Sequence, residues 1–393
     1  MENVLETEEM PQGPQIQINW RASLKPDTRL LRITEFPLFS DSRVTSEEAT
    51  KYKPYAFLNP VPLKGHPGFF RPAIYARIEY YLPFRVPKIE KTDTSAFHGG
   101  TLIDEIASLL SLALGIRIRA GSPSREFLDE QDPRGKPVGW NEQPGFLNAG
   151  YDRLVVPWAV GKPSLELLSP LLHVRFMSAD GANSLIKAAR SFQKALLVAE
   201  EDPSLAWLFL VTAVEKAAAS WKAWSASRLE TLSELKPDLY SRLGELSDGD
   251  KARVIVANDL FDLIGSQRKF VEFLLKFLPS PPVERPVERA QLDWSESTMR
   301  EALKKIYGHR SKALHEGTPF PLVMCEQPFK ERKGDGRWYE QPGALAYGGP
   351  GGTWMSDDVP MYLNTFVYIV RGALLKWWEG LGQEYLLLVP SVL

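Results

Sequence analysis

YGHRSKALHEG, from Tyr307 to Gly317, closes a helical run and gathers His309, Arg310 and His315 within seven residues of a chain that holds five histidines. The residues before it set the frame. Met299, Leu303, Ile306, Arg310 and Ala313 recur in steps of four and three, which places them on one helical stripe. That stripe is apolar except for Arg310. A cation on an apolar face needs a carboxylate or phosphate partner, because an uncompensated buried charge costs several kcal/mol, roughly. Upstream, SLAWLFLVTAVEKAAASWKAW is apolar almost all round, which predicts a central, buried helix. Leu205, Leu208, Thr212, Glu215 and Ala219 form a similar stripe there, interrupted by Glu215. Two helices with one opposite charge each predict a Glu215–Arg310 pair or a shared polar network. Such a pair can equally be a structural device that fixes helix register.

His315 is five residues past Arg310, about 140° round an ideal helix. One straight helix therefore does not aim both side chains at one point. Either the helix loosens at Gly317 and Pro319, or a second chain faces this one and a shared cleft collects both. A histidine in a last helical turn is favoured in its protonated form by the helix dipole, which suits proton transfer. An ordinary solvated basic face remains the plain alternative.

Outward from this stretch, the second half reads as helical. ANSLIKAARSFQKALLVAEE is one helix, and Asp202 and Pro203 mark the start of the next. DKARVIVANDLFDLIG and QRKFVEFLLKFL read as two further helices, and LNTFVYIVRGALLKWW as a closing one. Residues 317–357 are rich in Gly and Pro and read as a long excursion outside the core.

The first half differs. IQINW, RLLRITEFPLF, AIYARIEYYLPFRV and RLVVPWAV are β-branched and aromatic-rich and read as strands. Between them, Leu102, Ile106, Leu109, Leu110 and Ala113 define a buried helix that Gly115 stops. Residues 121–150 read as loop. Gly99 and Gly100 lack the lysine and serine of a phosphate loop. His98 with Asp104 and Glu105 matches no standard metal spacing, so His98 reads as a structural histidine. The expected fold class is α+β. A flexible leader spans 1–15, a mixed α/β sensor or interaction domain 16–178, and an all-α helical bundle 179–393.

Composition narrows the function. Net charge is −2, against a surface coated for DNA but compatible with a local basic patch. A single cysteine, Cys325, allows no disulfide framework within the chain and fits a cytoplasmic compartment. The acidic first fifteen residues do not form a signal peptide, and no run of eighteen apolar residues predicts a membrane span.

RSKALHEG resembles the signature of HEPN domains, an arginine, four to six further residues and then a histidine on a late helix of a small bundle. IYGHRSKALHEG is especially similar to the ApeA-like subfamily. SLAWLFLVTAVEKAA resembles the earlier helix that carries a buried glutamate, and LNTFVYIVRGALLKWW the last helix. The resemblance covers roughly residues 180–380 and leaves the first half unassigned. It implies a metal-independent endoribonuclease without a cofactor, acting as a toxin or antiviral effector in abortive infection. Arg310, His315 and Glu215 would be catalytic, with Tyr307, His309, Ser311 and Lys312 supporting or contacting RNA. It also implies a homodimer with a shared HEPN cleft. The first domain would receive a phage-derived trigger or partner protein. Ser311 departs from the Asn, Asp or His that often follows the arginine. Gly317 replaces the tyrosine through which related toxins are silenced by adenylylation. The alternatives are a HEPN fold that binds RNA, a nucleotide or a partner without catalysis, and a scaffold that only oligomerises.

Overall fold

In the computed structural model the described residues are 13–46, 50–59, 71–81, 92, 94, 96–127, 133–139, 153–221, 229, 232–233, 236–331 and 336–388. The first element, α1 (Gln15–Ser23), corrects the strand expected at IQINW. Ile16 and Trp20, four residues apart, are fully buried, which is a helical and not a strand period. The pattern is disguised because Gln17 and Asn19 are buried too. Gln17 Nε2 donates to the carbonyls of Val174 and Met177, both at 2.8 Å. Asn19 donates to the Glu79 carbonyl and accepts from the Tyr81 amide. Most of the expected leader, residues 1–12, lies outside the described residues.

The sheet that follows is antiparallel. β1 (Arg32–Ser40) lies between β3 (Arg71–Tyr80) and the short β5 (Arg125–Phe127). β2 (Tyr55–Leu58) borders β3, β6 (Lys136–Pro137) borders β5, and β4 (Arg119–Ala120) pairs with β1. The central register runs from Arg32 opposite Tyr80 to Ser40 opposite Arg71, with an irregularity at Leu38/Phe39. β5 and β6 fall within residues expected as loop; 128–132 and 140–150 of that stretch lie outside the described residues. Helix α2 (Leu102–Leu114) is buried on nearly every side. Gly115 ends it in the left-handed region at φ 72°, donating to the Ser111 carbonyl, as the sequence predicts.

RLVVPWAV is not a strand. The amides of Val155 and Val156 donate to the Glu200 carboxylate at 2.6 and 3.1 Å, and Pro157 opens a short 3-10 turn. A side chain takes the place of a neighbouring strand, and proline has no N–H to offer a ladder.

By packing, the chain divides into two units: 1–153 with 157–197 and 378–393, and 154–156 with 198–377. The division expected at 178/179 therefore shifts. Helix α3 (Ala179–Val198) belongs to the first unit up to Leu197, because its polar side chains close that unit's backbone. Gln193 donates to the Ile118 carbonyl, and Arg190 to those of His98 and Gly99. Residues from Trp378 onward close the same unit, where Gly382 lies so near His173 that a Cβ would fall 2.7 Å from its side chain.

The second unit contains α4 (Pro203–Trp221), α5 (Pro237–Gly244), α6 (Gly249–Lys276) and α7 (Glu296–His315), followed by α8 (Leu363–Leu388) up to Trp377. The two helices expected within 250–278 are one continuous α6. The unit is not all-α: a hairpin of β7 (Ala346–Gly349) and β8 (Gly352–Met355) lies inside the expected excursion. Nor is that segment outside the core. Phe320, Val323 and Met324 are buried, and the Trp207 indole stacks on Phe320 and Phe366 at 5.3 and 4.7 Å while donating to the Met324 carbonyl. Glu340 ties the segment down by accepting from Arg285 twice and from the Leu292 amide. The fold class is α+β, with strands and helices in the first unit and a chiefly helical second unit.

Candidate active site

Helix α7 starts at Ser295, whose hydroxyl accepts from the Thr298 amide. Met299, Leu303 and Ile306 are fully buried, as their spacing requires. One and two turns further the same face rises from the core, so Arg310 is partly exposed. Helix α4 behaves in the same way. Its buried face is Ala206, Trp207, Leu210, Val211, Val214 and Ala217. The stripe of Leu205, Leu208, Thr212 and Glu215 is only half-buried and Ala219 is exposed, which corrects the reading of α4 as buried all round.

Glu215 and Arg310 meet at this half-open edge. Arg310 Nη2 donates to Glu215 Oε2 at 3.0 Å, and the two side chains are 19% and 21% exposed. Tyr307, one turn before Arg310 and itself buried, donates its O–H to the other carboxylate oxygen, Oε1, at 2.9 Å. Its ring centroid lies 5.3 Å from the Arg310 guanidinium carbon, within cation–π range. Ser266 on α6 makes a side-chain hydrogen bond to the phenol oxygen. Burial first, and then the Glu215 charge, pushes the phenol up to about 12, so it keeps its proton at neutral pH. Among the described residues, Nε and Nη1 of Arg310 have no hydrogen-bond partner.

His309 faces elsewhere. Its Nε2 donates to the Asp358 carbonyl at 2.7 Å, and its ring lies 6.0 Å from that of Phe320. Lys305, one turn earlier, donates to the Asp357 carbonyl and approaches the Asp358 carboxylate at 3.4 Å. Together they fasten the end of the 317–357 segment to α7. Burial lowers the His309 pKa, Lys312 and Lys305 lower it further, and the Asp358 contacts oppose them only in part. The ring is thus held neutral with Nε2 protonated.

His315 is exposed in the last turn and makes no side-chain hydrogen bond or ion pair among the described residues. The helix ends one residue later at Glu316, and Gly317 adopts φ 68°. The structure thus joins Glu215, Tyr307 and Arg310, places His309 with Asp358, and joins His315 to neither group. Ser311 is half-buried and Lys312 exposed, each without a side-chain hydrogen bond among the described residues. Ser266 escaped the sequence reading, since a serine within a long helix carries no signal of its own.

In the first unit, His98 pairs with the fully buried Glu105 at 2.7 Å, and Glu105 also accepts from the Gln15 and Ile16 amides at the start of α1. Asp104 instead accepts from the Thr101 amide and hydroxyl. Among the described residues, no helix is long and apolar enough to cross a membrane. No protein-family model matches the chain, and neither does any curated protein or solved structure.

Proposed function

We propose that the Glu215–Tyr307–Arg310 edge, completed by His315, is the cleavage site of a metal-independent endoribonuclease of the HEPN type that works as a defence or toxin effector. The observation that carries this reading is the state of Arg310. A register-fixing pair is best buried and bidentate, with its remaining donors satisfied. Arg310 is held through one nitrogen at a half-open edge, and the rest of its planar fork is available for phosphoryl oxygens.

The reaction is an internal transfer. The RNA 2′-oxygen attacks the adjacent phosphorus while its proton passes to a base. The bond from phosphorus to the 5′-oxygen breaks, and that oxygen takes a proton from an acid. The products are a 2′,3′-cyclic phosphate and a 5′-hydroxyl. Arg310 balances the charge that gathers on the phosphoryl oxygens. His315 gives or takes a proton. Because Arg310 and His315 point about 140° apart on one helix, the site is shared by two copies in one cleft, and their two His315 side chains serve as the base that takes the 2′-hydroxyl proton and the acid that protonates the leaving 5′-oxygen. The first unit, in this reading, receives the phage-derived trigger that releases activity.

The test is to incubate the purified protein with total RNA in excess EDTA, beside His315→Ala, and to map the RNA ends. Cuts bearing cyclic phosphates that vanish in the variant support the reading. RNA bound equally by both proteins and cut by neither, also in lysate of infected cells, would reassign the edge to binding alone.

A further inference from the structure

Each oxygen of the Glu215 carboxylate has its own donor: Tyr307 O–H on Oε1 and Arg310 Nη2 on Oε2. This division is not what an arginine and a carboxylate adopt by themselves, since the planar fork matches both oxygens at once. We infer that Tyr307, oriented by Ser266, is a positioning residue that holds Arg310 to a single contact with Glu215 and so keeps the outer edge of the guanidinium free for a phosphate diester of RNA. This rests on the site reading above and adds what keeps the site open.

The orientation follows from hydrogen-bond inventory. A phenol oxygen has one hydrogen to give and can also accept. With Ser266 donating to it, its own hydrogen is left for Glu215. Tyr307 is buried and packs its ring 5.3 Å from that of Phe270, so the hydroxyl cannot swing away from the carboxylate. Its high pKa keeps the donor in place at any pH at which RNA would be cut. The ring itself passes beneath the guanidinium, which limits rotation of Arg310 back toward the core.

Removing the hydroxyl should therefore close the site, not merely loosen it. In Tyr307→Phe, Oε1 is released and Arg310 can take both oxygens. A second change should reverse the first. Glu215→Gln in the Tyr307→Phe background leaves a single acceptor oxygen, so a bidentate grip is impossible and the guanidinium edge is freed again. A merely structural role for Tyr307 predicts the opposite, that two lesions in one cluster add.

The experiment measures binding of the full chain to a fluorescent 2′-O-methyl oligoribonucleotide, which cannot be cleaved, by anisotropy at fixed low salt. The expected result is roughly tenfold weaker binding for Tyr307→Phe, about one charge-assisted hydrogen bond, with most of it regained in Tyr307→Phe/Glu215→Gln. Ser266→Ala, which leaves the aromatic packing intact, should weaken binding in the same direction and by less; it carries the test if Tyr307→Phe does not fold. Arg310→Ala separates the two levels of the argument. If Arg310→Ala binds like the wild type, the site reading fails and this inference with it. If Arg310→Ala loses binding while Tyr307→Phe and Ser266→Ala do not, or the double variant is no better than Tyr307→Phe, the positioning role is overturned and the phosphate site stands.

Discussion

Arg310→Ala should cost the fold little, and the structure supplies its own yardstick. The Arg310–Glu215 pair is one hydrogen bond at 3.0 Å between side chains about one-fifth exposed. Water screens it and can solvate Glu215 once Arg310 is gone. The loss should lie near the low end for charged hydrogen bonds, about 1–2 kcal/mol, or roughly 3–6 °C in Tm for a domain of this size. Glu340 marks the other extreme in the same unit. Its carboxylate is almost fully buried and accepts from Arg285 Nε and Nη2 at 2.9 and 2.6 Å and from the Leu292 amide at 2.7 Å. Glu340→Ala strands a partly buried guanidinium and a buried N–H, which should cost about 3–5 kcal/mol, roughly 10 °C or more. Calorimetric melts of both variants, run beside the RNA assay on the same preparations, make the comparison. Arg310→Ala should melt close to the wild type and have lost cleavage. If it melts as early as Glu340→Ala, Arg310 is a structural cation and the case for the site loses its main support.

The pH dependence of stability should carry a signature of His309, whose folded pKa lies below its ordinary value of 6.5. The unfolded chain then takes up the proton first as pH falls, so the contribution is complete above about 6.5 and is lost below it. Denaturant titrations at pH 7.5 and 5 should therefore show a larger drop for the wild type than for His309→Gln; an equal drop would remove His309 from the account. Gly115→Ala places a Cβ at φ 72° and should destabilise the first unit by about 1 kcal/mol, read as a lower denaturation midpoint. Glu105→Ala removes the acceptor for the first two amides of α1, so hydrogen exchange across Gln15–Ser23 should speed up well before global unfolding; unchanged exchange there would show that α1 is held by its packing alone.

The parts of this molecule that a sequence reader can see are those whose signal is periodic and local. Helix α2 and its stop at Gly115 follow from spacing and from the one residue that enters the left-handed region freely. The Glu215–Arg310 contact was legible for a related reason, because a lone charge on an otherwise apolar stripe demands a partner. What could not be read depends on distant partners. Gln17 and Asn19 look like solvent-facing residues of a strand until the carbonyls of Val174, Met177 and Glu79 arrive to bury them. Val155 and Val156 look like a strand until Glu200 takes their amides. The weight of Glu340 and the role of Ser266 are equally invisible, since neither interrupts a pattern. The half-open face of α4 was misjudged because an apolar stripe says what can be buried, not what is.

The first unit is closed by residues 378–388, which leave the ribosome only after the whole of 198–377 has been made. Its helix α2 meets the start of α1 early, but the surface beside His173 waits for Gly382. Although most of the first unit precedes the second in the chain, it cannot be completed before the second has been made, and its closure spans contacts of high sequence separation. Severing the chain at 178/179 would harm both fragments. The first would lose α3 and its last wall, and the second would carry their apolar faces with nothing to cover them.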